Sequence, residues 1–181
     1  MNKTEFAELR VMLLSGKTHG AQTLRSVLAL AGVTKIISLD QPARALDLLT
    51  IDYFDAIFVA DGCQLVEGMS FPLAVRRTRG ILSPMMPIFV FQEQARRRNV
   101  EAARDTGATD FITCPISTRT VMTKLEAALL SPRRFIKAPG YFGPDRRAKA
   151  RPLWHGEDRR SRAPRKVQLQ KGVRPPNPTL L

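Results

Sequence analysis

Asp55-Ala-Ile-Phe-Val-Ala60 is a single acidic residue followed by five apolar ones. A strand with one face in water alternates apolar and polar residues. A strand covered on both faces has no reason to alternate. The run 55–60 therefore reads as a central strand of a parallel sheet. The sequence on either side repeats the pattern. Residues 10–15 (RVMLLS), 33–39 (VTKIISL), 87–91 (PIFVF) and 110–114 (DFITC) are short apolar runs of strand length. Between them lie segments with helical spacing. In 21–32, Leu24, Val27, Leu28 and Ala31 share a face, and Gly32 stops the helix. Residues 41–50 form a short helix with Asp40 as cap and Pro42 in the first turn. A less regular helix is expected over 65–80, a polar-sided one over 93–107, and a last one over 117–130 with Ser117 as cap. Five strands alternating with five helices predict an α/β fold, a (βα)5 doubly wound parallel sheet covered on both faces. The functional crevice of such sheets lies at the carboxyl ends of the strands.

The charge is unevenly placed. The chain of 181 residues carries a formal net charge of +13. From Ser131 onward, ten Arg and four Lys face only Asp145, Glu157 and Asp158, so +11 belongs to the last fifty-one residues. Eight of the thirteen prolines also lie there. Proline blocks long helices, and so few apolar residues cannot offset the entropy of ordering. Two units follow: a near-neutral globular body over 1–130, and a mostly disordered arginine- and proline-rich C-terminal tail over 131–181. The tail's partner should be anionic. The two cysteines, Cys63 and Cys114, make no disulfide framework or zinc pattern and read as buried or half-buried thiols. The histidines, His19 and His155, stand alone, and Arg96-Arg-Arg98 reads as a solvated helix face. The first residues do not read as a signal peptide, and no stretch approaches the ~20 apolar residues of a membrane span. A cytoplasmic protein is expected, with no metal and no enzymatic machinery: there is no phosphate-binding glycine loop, nucleophile triad or metal cluster.

The body resembles the CheY-like receiver domains of bacterial response regulators. The likeness spans nearly all of 10–130. It is carried by RVMLLSGKTHGAQTLRSVLALAG (10–32), FDAIFVAD (54–61) and AARDTGATDFITCP (102–115). The resemblance implies two acidic Mg²⁺ ligands after the first strand, an acceptor Asp ending the third, a hydroxyl after the fourth and a Lys after the fifth. Here those places hold Ser15 and Gly16, Ala60, Gln92 and Cys114, with Pro115 retained. A hard dication wants carboxylates, and phosphoryl transfer wants that ion and a nearby cation. Asp61 stands one residue past the acceptor position. A one-residue step along a strand turns a side chain to the other face, so Asp61 reads as the opening of a loop. The expectation is a degenerate, phosphorylation-incompetent receiver used as a docking scaffold.

The tail repeats itself. Tyr141-Phe-Gly-Pro-Asp-Arg-Arg147 returns thirteen residues later as Trp154-His-Gly-Glu-Asp-Arg-Arg160. A guanine offers O6 and N7 side by side, which the planar fork of Arg matches, a pairing worth ~1–3 kcal/mol in discrimination. Its other edge offers donors that Asp accepts, and its face stacks on an aromatic ring. Asp145 and Asp158 suit the donor edge. Arg146, Arg147, Arg159 and Arg160 suit the acceptor edge and phosphates, and Tyr141 and Trp154 suit stacking. Two repeats suit a ligand with two guanines and two phosphates, cyclic di-GMP. The receiver-like body joined to this doubled motif resembles the Cle class of cyclic di-GMP-binding CheY-like proteins. The resemblance implies that more than one ligand molecule stacks in a segment at about 141–165, for which Arg151 and Arg162 are further contacts. It also implies a protein partner, the flagellar motor switch, and recruitment to the flagellar pole. The same charge suits nucleic acid or another polyanion, a second reading that salt dependence and Arg→Lys exchange separate from the first.

Overall fold

The structure is a computed structural model that describes residues 3–16, 19–60, 65–93, 105–145 and 165–167. A short helix α1 (Lys3–Ala7) leads into β1 (Arg10–Leu14), α2 (His19–Leu30), β2 (Lys35–Leu39), α3 (Pro42–Ile51) and β3 (Ala56–Val59). A small hairpin, β4 (Leu65–Val66) and β5 (Met69–Ser70), precedes α4 (Phe71–Arg77). Then come β6 (Ile88–Gln92), β7 (Asp110–Thr113) and α5 (Thr118–Leu130). The main sheet has the order β2-β1-β3-β6-β7, with every neighbouring pair parallel.

Strand alternation sends side chains to two cores. Leu13, Phe58, Phe89 and Phe91 face α2 and α5, where they meet Leu24, Leu28, Val121 and Leu125. The Phe58 and Phe89 rings stack at 4.7 Å. Met12, Leu14, Ile57, Val59 and Ile88 face the other way and meet Leu49, Phe71 and Val75 of α3 and α4. All four residues of β3 are buried, as the unbroken apolar run required. Each such large side chain contributes roughly 1.5–3 kcal/mol of transfer free energy. The doubly wound α/β sheet expected from the sequence is the observed fold.

Three local expectations are corrected. Residues 65–70 are not helical. Glu67 (φ 49°) and Gly68 (φ 74°) both take positive φ, the two-residue turn that matches the twist of a hairpin, and only 71–77 forms a helix. Gln41, not Asp40, caps α3, and it makes no side-chain capping bond, since Pro42 already presets the first turn. Cys114 is exposed, not buried, because β7 ends at Thr113. The Ser117 cap is as expected: its hydroxyl accepts from the Thr120 amide at 3.1 Å. The helix expected over 93–107 lies largely outside the described residues, as do Asp61, Cys63 and Arg96–Arg98.

Beyond α5 the chain builds a second, three-stranded sheet. Strands β8 (Phe135–Ala138) and β9 (Tyr141–Pro144) form a hairpin through Pro139-Gly140, with Gly140 at φ 76°. Strand β10 (Arg165–Val167) pairs antiparallel with the other side of β8. Phe135 and Tyr141 are buried, which holds residues 131–145 against the body.

Candidate sites at opposite ends of the sheet

The strand register gathers the receiver-like positions along one edge. Leu14 stands opposite both Leu39 and Val59, Val59 opposite Val90, and Gln92 opposite Thr113. The residues that follow leave the sheet at its carboxyl end. The Ser15 amide donates to Leu39 O and the Ala60 amide to Leu14 O, both at 2.8 Å. Ser15, Gly16 and Gln92 are half-buried, Ala60 is fully buried, and Cys114 is exposed and joined to Pro115 by a cis peptide. None of these five carries a carboxylate. Among the described residues no group of three or more His, Cys, Asp or Glu could hold a metal ion.

The carboxylate that follows β6 is engaged from within the fold. Glu93 follows β6, and its Oε1 accepts from the Gly20 amide at 3.1 Å, in the first turn of α2. A negative group there satisfies a helix N–H that has no partner in its own helix, and it faces the positive end of the helix dipole. Gly20 makes the approach possible: a Cβ on it would lie 2.5 Å from Glu93 Oε1 and 2.8 Å from the Phe91 ring. Sequence reading passed over Glu93 because a single Glu beside Gln92 carries no spacing signal.

At the amino ends of β6 and β7 the chemistry is different. Arg76 of α4 is 5% exposed. Its guanidinium donates to Pro84 O (2.5 Å) and Met86 O (2.9 Å) before β6, and to Gly107 O (3.2 Å) before β7. Its plane lies over the Phe135 ring, 5.1 Å from the centroid. Burial pulls the guanidinium down from its ordinary value to about 9, with Tyr141 acting in the opposite sense, so Arg76 is charged at neutral pH. A buried cation without water needs every donor directed at an acceptor. Here the carbonyls of two turns take three of the five N–H donors, and an aromatic face from the C-terminal hairpin covers the plane. Arg77 adds a longer bond to Gly140 O at 3.4 Å.

The hairpin also approaches the body backbone to backbone. A Cβ on Gly143 would lie 2.9 Å from Gly107 Cα and 2.8 Å from Tyr141 Oη. Gly107, at φ 90°, has Phe142 O 3.0 Å from where its own Cβ would be. Tyr141, expected as a stacking face, is 8% exposed and its hydroxyl donates to Pro144 O at 2.7 Å. Asp145 is half-buried, and its amide donates to Arg134 O at 2.7 Å, extending the β8–β9 ladder by one pair. The structure thus places Tyr141 and Asp145 on the hairpin. Arg146, Arg147, Arg151, Trp154, Asp158, Arg159, Arg160 and Arg162 lie outside the described residues.

No protein-family model matches the chain, and no curated protein sequence matches it. Solved structures do match over the body. The receiver domain of sensor histidine kinase PA1611 from Pseudomonas aeruginosa PAO1, described with magnesium coordinated in its active-site cleft, superposes with a TM-score of 0.58 at 15% identity. The match covers 68% of this chain and 98% of that domain. A response regulator from Desulfuromonas acetoxidans matches with a TM-score of 0.57 at 18% identity, covering 67% and 97%. Vibrio cholerae chemotaxis protein CheY4 matches with a TM-score of 0.54 at 20% identity, covering 67% and 99%. The fold of the body is therefore that of CheY-like receiver domains of response regulators. Among the described residues no helix is long and apolar enough to cross a membrane.

Proposed function

We propose that this protein is a non-enzymatic cyclic di-GMP effector. Its C-terminal segment binds the nucleotide through the doubled Asp-Arg-Arg motif, and its receiver-like body docks on a protein partner without phosphoryl chemistry. The observation that carries the reading is the thirteen-residue repeat itself, which supplies a carboxylate and two guanidinium groups twice, with Trp154 as a stacking aromatic. The carboxyl-end positions support the second half of the reading. A phosphoswitch needs oxygen ligands for Mg²⁺ and a cation for the phosphoryl group, and Ser15, Gly16, Ala60, Gln92 and Cys114 offer neither. Asp145-Arg146-Arg147 starts where the β8–β9 ladder ends, so the backbone of its first residue is anchored on a folded base. Tyr141, closed on Pro144, serves that base, and Trp154 is left as the stacking face of the pair. The partner is the flagellar motor switch, reached by a protein that works in the cytoplasm and at the flagellar pole.

Calorimetric titration at ~150 mM salt tests this. The full chain should bind cyclic di-GMP in preference to cyclic di-AMP. Arg146→Lys with Arg159→Lys should cost about 100-fold in affinity, since Lys keeps the charge and loses the fork at two bases. Equal binding of both nucleotides, or an unaffected double variant, would overturn guanine recognition in favour of general polyanion binding.

A further inference from the structure

Two stretches of the chain carry no acidic residue: the one between Glu67 and Glu93, and the one between Glu126 and Asp145. The first holds Arg76, Arg77 and Arg79, and the second holds Arg133, Arg134 and Lys137. The fold packs them together. Phe135 lies over Arg76, and the Arg77 guanidinium donates to Gly140 O, 63 positions further along the chain. Arg76 is buried, whereas Arg77, Arg79, Arg134 and Lys137 are exposed and Arg133 is half-buried. Asp110, at the start of β7, is taken by Lys124 at 2.9 Å. Asp105 and Asp145 border the face, too few to balance its cations. The last turn of a helix favours cations, which accounts for Arg76 and Arg77. It gives no reason for Arg133, Arg134 and Lys137, which belong to a strand and its lead-in. Apolar surface lies among the charges. Leu82 is 38% exposed, and Phe142, the cross-strand neighbour of Lys137, is half-buried.

We propose that this face, formed by the end of α4 and the C-terminal hairpin, is where the body docks on an acidic surface of a protein partner. The inference rests on the docking half of the function proposed above and not on its nucleotide half. Charge complementarity selects the partner: an acid-free face attracts carboxylates and speeds their encounter. A second copy of this chain would bring the same cations against themselves. Single-stranded nucleic acid needs open rings on which bases stack. Here Phe135 and Tyr141 are buried, and Phe142 is tilted against Phe135 at 5.7 Å. Arginines around partly exposed apolar side chains are instead the composition of protein interfaces.

The test uses the full chain and a synthetic helical peptide with glutamates along one side and leucines beside them, at ~100 mM salt. The peptide should slow amide exchange at 77–82 and 133–142. Arg79→Glu with Arg134→Glu and Lys137→Glu should lower its affinity about tenfold. Arg77 is spared because its bond to Gly140 holds the hairpin. Lys149→Glu with Lys171→Glu and Arg174→Glu makes the same change of net charge elsewhere and should cost clearly less. Equal losses from the two triple variants overturn the proposal, because net charge and not this face would then attract the peptide. Unchanged exchange at 77–82 and 133–142 overturns it as well. A short oligothymidylate that protects the face more strongly than the peptide would make it a nucleic-acid surface. Purified flagellar motor switch protein is tried in the same way. If it fails to bind while the peptide protects the face, the partner named above falls and this inference stands.

Discussion

The two ends of the main sheet handle charge in opposite ways. At the carboxyl end, where open α/β sheets usually hold their ligands, the five receiver-like positions are uncharged, and Glu93 is turned onto the first turn of α2. At the amino end a full positive charge is buried at Arg76, and the C-terminal hairpin is packed over it. The first arrangement gives a helix N–H a carboxylate partner; the second uses a cation to join α4, the turn at 84–86, the turn at 107 and β8. The C-terminal sheet is thus seated away from the crevice. Among the described residues, its contacts with the body run through α4 and the turn before β7.

If that contrast is right, damage at the amino end should cost far more than damage at the carboxyl end. Arg76→Met keeps most of the volume and removes the donors. Three carbonyls lose their partner and the Phe135 ring loses its cation, so a loss of about 3 kcal/mol is expected in chemical denaturation. A loss below about 1 kcal/mol, the scale of a surface substitution, would mean that the turns and hairpin hold together without the guanidinium. Gly143→Ala should come next. Its new methyl meets the Gly107 backbone at 2.9 Å, and backbone cannot rotate out of the way, so about 2 kcal/mol is expected from overpacking. A neutral outcome there would show that the hairpin can lift from the body at no cost.

The same contrast explains what the sequence could reveal. The five strands were legible because burial on both faces leaves an unbroken apolar run, and 55–60 is buried throughout its strand. The hairpin at 65–70 was not, because Gln64-Leu-Val-Glu67 has mixed polarity and its turn is decided by two positive-φ residues, one of them a non-glycine. The repeated motif announced itself by self-similarity, whereas its folded base did not. Residues 133–144 look like the start of a basic, proline-rich tail, and their burial comes from Phe135 and Tyr141 meeting a partner sixty residues earlier. Nothing in Arg76-Arg77 says that the first is buried and the second is exposed. That distinction is tertiary: Arg76 alone faces the carbonyls of 84, 86 and 107.

The smallest effect should come from the carboxyl end. Glu93→Gln preserves the shape of the side chain and keeps an acceptor for the Gly20 amide, 3.1 Å away. It removes only the charge facing the start of α2. A carboxylate near a helix N-terminus is worth about 0.3–1 kcal/mol at low ionic strength, and salt screens it. Chemical denaturation of the variant should therefore show a loss under about 1 kcal/mol that shrinks as salt is raised. A loss indifferent to salt would assign Glu93 to packing, with the missing Cβ of Gly20 making room for a shape and not for a charge. A loss as large as that of Arg76→Met would remove the contrast altogether, because the carboxyl end would then also hold a charge on which the fold depends.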